Sequence, residues 1–221
     1  TINTTCGNSQ TLKRALAVSC NSAFARLGVK LGADALREQA EKFGFGTKPL
    51  SDIASVASRF PDEIDTPQTG LASIGGYDVA ATPLQMAMVA AAVRNDGVVM
   101  QPYLVESVRS ADLQILSQTR PSQLSVATSA ANAAKLRQLM VGVVEDGTGW
   151  RAKIAGVTVG GKTGTANSDN RRTPYAWFIA WADDPDVAIC VFVQDAEMEA
   201  TDVAGGRVAA PIAKAVIEAL R

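Results

Sequence analysis

The spacing of apolar residues changes along the chain: it is mainly helical through about residue 145 and mostly alternates like strands from about 150 until a last helix. A first helix is predicted from a cap at Asn8 or Ser9 to about Val18, with Leu12, Ala15 and Leu16 as its apolar stripe. Ser19, Cys20, Asn21 and Ser22 interrupt it, being residues that prefer caps and turns. A second helix carries Phe24, Leu27 and Leu31 and stops at Gly32; a third covers 34–43 and ends at Gly44 and Gly46. Residues 46–81 are rich in Pro and Gly and read as a long surface excursion. Thr82-Pro83-Leu84-Gln85 is the clearest helix start, with Thr82 as cap, Pro83 in the first helical position and Gln85 closing a capping box. Short strands are expected at 98–100, 103–108 and 113–116, and a further helix over about 129–145.

Four strand-like runs follow, at 154–158, 160–166, 175–182 and 187–194, with Asp183-Asp184-Pro185-Asp186 as a tight turn between the last two. Connections this short imply antiparallel pairing, since parallel strands need long crossovers. A last helix is expected over about 209–220. The fold class is α+β: a mainly helical portion over about 1–150, then an antiparallel sheet flanked by helices over 151–221.

Composition narrows the chemistry. With 221 residues, 47% of them hydrophobic, the chain can bury a full core. A net charge of −1 gives no electrostatic reason to expect nucleic acid. The chain has no histidine, which removes Ser-His-Asp and Cys-His mechanisms and the commonest metal ligand. Cys6, Cys20 and Cys190 are far apart, so no zinc site is expected; one disulfide is permitted, and spacing does not say which. No metal or cofactor is called for.

The candidate chemistry starts from VGGKTGTA, residues 159–166. In a strand, Lys162 and Gly164 share one face, and Thr163 and Thr165 the other. Glycine weakens a strand interior unless something must approach its backbone, so Gly164 points to an extended peptide lying alongside. Two hydroxyls and one positive charge suit that peptide's carboxylate. The plainer alternative is an edge strand with a glycine bulge and a solvated lysine. Ser19-Cys20-Asn21 pairs a hydroxyl able to relay a proton with a short amide in a sharp bend; its plainer alternative is helix capping.

Taken together, S-x-N followed far downstream by K-T-G resembles the serine penicillin-recognising enzymes. Ser73-Ile74-Gly75 with Thr82-Pro83-Leu84-Gln85-Met86-Ala87, then Val144-Glu145-Asp146-Gly147-Thr148-Gly149, Tyr175-Ala176-Trp177-Phe178-Ile179-Ala180 and Gly205-Gly206-Arg207-Val208-Ala209-Ala210-Pro211 extend the likeness in order. The chain looks most like a class B penicillin-binding protein of the actinobacterial kind. That resemblance implies the transpeptidase fold shared with serine β-lactamases, here incomplete. It implies D,D-transpeptidase chemistry on peptidoglycan stem peptides through an acyl-serine, inhibited by β-lactams. Ser19, Asn21 and Lys162 would be catalytic; Thr163, Gly164 and Thr165 would bind substrate, with the Thr165 N–H in the oxyanion hole.

The family also needs S-x-x-K, and no serine of this chain has a lysine three residues on; Ser9 has Lys13 four on. The expectation is therefore a C-terminal portion whose upstream part carries the nucleophile and a membrane anchor, inactive alone. The location implied is the extracytoplasmic face of a bacterial envelope. A glycosyltransferase of the cell-wall machinery is a further partner consistent with the family. Two alternatives remain: a class D-type serine β-lactamase, which would turn over nitrocefin, and a β-lactam or muropeptide sensor, which would acylate without cross-linking. The polar loop 167–174, with Arg171 and Arg172, reads either as a solvated hairpin end or as a rim of the acceptor side.

Overall fold

The structure is a computed structural model, described for residue 6 and residues 11–50, 52–166 and 173–221. The helical portion opens with α1 (Leu12–Ala17), α2 (Asn21–Leu31) and α3 (Ala33–Lys42). Thr11 caps α1 by accepting from the Arg14 N–H; the Asn8 and Ser9 expected in that role lie outside the described residues. Of the expected stripe, Ala15 is buried with Ala17, while Leu12 faces solvent.

The excursion over 46–81 is not structureless. It holds α4 (Thr66–Ala72), started by a capping box in which Asp65 accepts from the Gln68 N–H and Gln68 accepts from the Asp65 N–H. Thr82 caps α5 (Pro83–Arg94) as expected, but Gln85 closes no capping box there. Its side chain is fully buried and donates to the Phe43 carbonyl at 2.7 Å, tying α5 to the end of α3.

Residues 98–126 form two small antiparallel pairs. β1 (Val98–Met100) pairs with β4 (Gln123–Val126), and β2 (Ser107–Arg109) with β3 (Ile115–Gln118). The expected strands thus shift along the chain, and β4 lies outside all three of them. The helix expected over about 129–145 is α6 (Ala130–Asp146), with Ser129 as its cap.

The last third is a three-stranded antiparallel sheet of β5 (Val159–Ala166), β6 (Tyr175–Asp183) and β7 (Asp186–Val193), in that order. The run at 154–158 is not a strand; it makes only an isolated bridge between Ile154 and Val157. The final helix, α7 (Gly205–Ala219), starts four residues earlier than the apolar period suggests, at Gly205.

Alternation along β6 decides what each sheet face touches. Ala176, Phe178, Ala180 and Ala182 point to α7 and join Ala209, Ala210, Ala213 and Ile217 in the main core. Small alanines on both sides let helix and sheet approach closely around Phe178, which is fully buried. Trp181 points the other way, against Val93 of α5 and Met140 of α6. The sheet is therefore covered on both faces, and β5 is the edge strand on one side of it. Among the described residues no helix is long and apolar enough to cross a membrane.

Candidate active site

The S-x-N segment is the exit from α1. The Cys20 N–H donates to the Ala15 carbonyl at 2.8 Å, and the Ser19 N–H to Leu16 at 3.1 Å. This is the Schellman pattern, which places Ser19 at the position usually filled by glycine. Ser19 has φ of 54°, in the left-handed region that costs an L-residue on the order of 1 kcal/mol. A glycine there would be cheaper; the serine supplies a hydroxyl. Cys20, 1% exposed, packs on Ala15 and is disulfide-bonded to Cys6, 14 residues away. That settles the pairing the spacing left open; Cys190 is free, and burial pushes its thiol up to about 12. Asn21 follows as the first residue of α2, half-buried.

The K-T-G segment is the middle of β5. Lys162 lies opposite Ile179, Thr163 opposite Phe178, Gly164 opposite Trp177 and Thr165 opposite Ala176. Lys162 and Gly164 therefore face the α6 side, and the two threonines face α7. The Lys162 Nζ donates to Ser19 Oγ at 2.7 Å and to the carbonyl of Thr163 at 2.7 Å. Two motifs 143 residues apart thus meet in one hydrogen bond. Burial without a carboxylate partner disfavours the charged amine and lowers Lys162 to about 8.

Thr163 is 9% exposed, and its Oγ1 lies 2.7 Å from Thr148 Oγ1. Thr165 Oγ1 accepts the Gly205 N–H at 3.2 Å, at the start of α7. Gly164 has a packing reason as well as the predicted ligand one. A Cβ there would lie 3.1 Å from the Trp177 Cβ, whose ring leans on Phe192.

The sequence motifs give no role to Thr148 or to the N-terminus of α7. In sequence, Asp146-Gly147 reads as a helix stop inside the stretch 144–149 that resembles the family, and neither reading gives Thr148 a role. In the fold, that turn is pressed on α1: the Thr148 N–H donates to the Ala17 carbonyl at 2.9 Å, and a Cβ on Gly147 would sit 2.3 Å from the same oxygen. Arg171 and Arg172 of the predicted rim lie outside the described residues. Among those described, no group of His, Cys, Asp or Glu could hold a metal ion.

Chemically, the site offers a serine hydroxyl that accepts from a lysine of lowered basicity. On the other face of the same edge strand it offers two threonine hydroxyls. A lysine–serine pair of this kind has the chemistry to pass a proton, and two hydroxyls have the chemistry to hydrogen-bond an anion.

Comparison with known proteins shows the family and the fold. The penicillin binding protein transpeptidase domain matches residues 1–218. The chain is 45% identical to the peptidoglycan D,D-transpeptidase PbpA of Mycolicibacterium smegmatis, over 96% of this chain and 44% of that protein. It is 43% identical to PbpA of Mycobacterium tuberculosis, over 97% and 45%. The crystal structure of the M. tuberculosis protein superposes with a TM-score of 0.88 at 39% identity, covering 98% of this chain and 53% of that one. Its ceftriaxone acyl-enzyme complex superposes at 0.90 with 40% identity, covering 97% and 49%. The chain spans about half the length of these relatives. It belongs to the penicillin-binding protein transpeptidase family.

Proposed function

We propose that the chain is the C-terminal part of a peptidoglycan D,D-transpeptidase that is also a β-lactam target. The observation that carries this reading is the Lys162 Nζ to Ser19 Oγ hydrogen bond. It unites the two motifs at the edge of a sheet where an extended peptide can lie. Relatives described as D,D-transpeptidases and as β-lactam acyl-enzymes support it.

In the reaction, a serine from the upstream part attacks the carbonyl of the penultimate D-Ala of a stem peptide. Its proton passes to a neighbouring lysine of S-x-x-K, and the carbonyl oxygen becomes an oxyanion held partly by the Thr165 N–H. Thr163 and Thr165 hold the terminal carboxylate through their hydroxyls. The intermediate then collapses: the C–N bond breaks, the acyl group stays on serine, and D-Ala leaves as its amine. Ser19 gives that amine its proton. Lys162 already donates to Ser19 Oγ, so the serine's own proton is free to point at the leaving nitrogen, and Lys162 replenishes it. An amine of pKa near 8 can both give and retake a proton near neutrality. Asn21 orients the substrate amide. An acceptor amine then attacks the acyl-serine by the same path in reverse.

The enzyme works at the extracytoplasmic face of the envelope, anchored through its upstream part. The 221-residue chain alone is inactive, having no S-x-x-K. Mass spectrometry after exposure to benzylpenicillin checks this: no adduct is expected on the isolated chain, and one adduct on the full-length protein. An adduct on the isolated chain would overturn the assignment of the nucleophile.

A further inference from the structure

We propose that Thr148 is a positioning residue for the anion-binding side of the site: its hydroxyl donates to Thr163 Oγ1 and leaves the Thr163 proton for a ligand carboxylate. This rests on the transpeptidase reading above. A threonine hydroxyl has one proton and two acceptor lone pairs. A carboxylate only accepts, so Thr163 can serve it only if its proton is not spent elsewhere. The 2.7 Å contact between Thr148 Oγ1 and Thr163 Oγ1 must then run from Thr148 to Thr163.

Thr165 has the same arrangement with the direction fixed by chemistry. It accepts from the Gly205 N–H, which can only donate, and so keeps its own proton. Both threonines of β5 are thus supplied from behind, one by a backbone amide and one by Thr148, with their protons free to converge on one anion.

The position of Thr148 is itself fixed from three sides. Its N–H is held by Ala17 at the end of α1. Its carbonyl lies against α7, where a Cβ on Gly206 would meet it at 2.1 Å. Its hydroxyl reaches β5. Through Ala17 it also stands two residues from Ser19, so one residue braces the anion pair against the segment that carries the proton relay.

The test uses the full-length protein and compares acylation by benzylpenicillin with acylation by its methyl ester, which lacks the carboxylate charge. Thr148→Val keeps the shape and removes the hydroxyl; Thr148→Ala is the second hydroxyl-free variant if the first folds poorly; Thr148→Ser keeps it. The expected result is that the acid-to-ester rate ratio falls about tenfold in the hydroxyl-free variants, as for loss of one hydrogen bond serving a charged group. Thr148→Ser should keep the wild-type ratio. Adding Thr148→Val to Thr163→Val should lower it no further, because the two act as one unit. If the hydroxyl-free variants keep the wild-type ratio, or acid and ester rates fall together, the positioning role is wrong. In that case a lowered ratio in Thr163→Val would leave the transpeptidase reading standing. If the full-length wild type forms no adduct, that reading fails and this one with it.

Discussion

Ser19 is held by a bend of a few residues, and Lys162 by an eight-residue strand. The bend relies on a left-handed serine, two capping hydrogen bonds and one disulfide. The strand relies on a ladder to β6 over its whole length and on a core at its back. A relay needs both ends fixed to within a fraction of an ångström. The fold fixes one end by cooperative pairing and the other by a local brace. Damage to the two should therefore differ: changes in the bend should trade stability against chemistry residue by residue, whereas changes on the strand should act through the charge it carries.

The largest expected effect is at Lys162. In the full-length protein, Lys162→Met should lower penicillin acylation by about a hundredfold or more, the order seen when a preorganised polar group is removed. The same variant tests the buried charge. Below pH 8 folded and unfolded chains both hold the proton, and the fold bears the cost of burying it. Between about 8 and the unfolded value of 10.5 only the unfolded chain holds it, so stability should rise with pH across that window. Urea midpoints measured from pH 7.0 to 10.5 should show the rise in the wild type and lose that component in Lys162→Met. No difference between the two profiles would mean that the amine is not desolvated.

Next in size is the brace. Removing the Cys6–Cys20 bond with a double Cys→Ser change should cost about 2–3 kcal/mol, the range for a disulfide closing a loop of this length. Calorimetry with and without reductant should show the wild type alone responding. The smallest effect has opposite signs in the two readouts. Ser19→Gly should stabilise by about 1 kcal/mol, because glycine occupies the left-handed position without strain, while acylation slows for want of the hydroxyl. If Ser19→Gly is less stable than wild type, the bend is not where the strain resides.

Much of the sheet was legible because its signals are local. Alternation, a tight turn and short connections give β5, β6 and β7 nearly to the residue. The stretch 46–81 was not, because Pro67 and Gly70 inside α4 look like breakers. The Asp65 to Gln68 capping box was the cue that could have revealed it. Gln85 shows the converse: a correct local motif overruled by a distant buried carbonyl at Phe43. For the site, face alternation put the two threonines opposite the lysine. Nothing local joins Ser19 to Lys162, and only the family likeness brought them together before the fold did. Thr148 stayed hidden because a turn residue carries no periodicity, and its partners lie on α1, β5 and α7.

Lys162 and Thr163 are adjacent in a pleated ladder, which leaves β5 no freedom of length. Deleting one residue between the ladder's start and Lys162 would rotate the amine onto the α7 side and aim the Thr163 hydroxyl at Ser19, and an insertion would turn the amine away in the same manner. Homologous chains can vary their tips, but their spacing along this segment must stay invariant, and gaps in any lineage should avoid it.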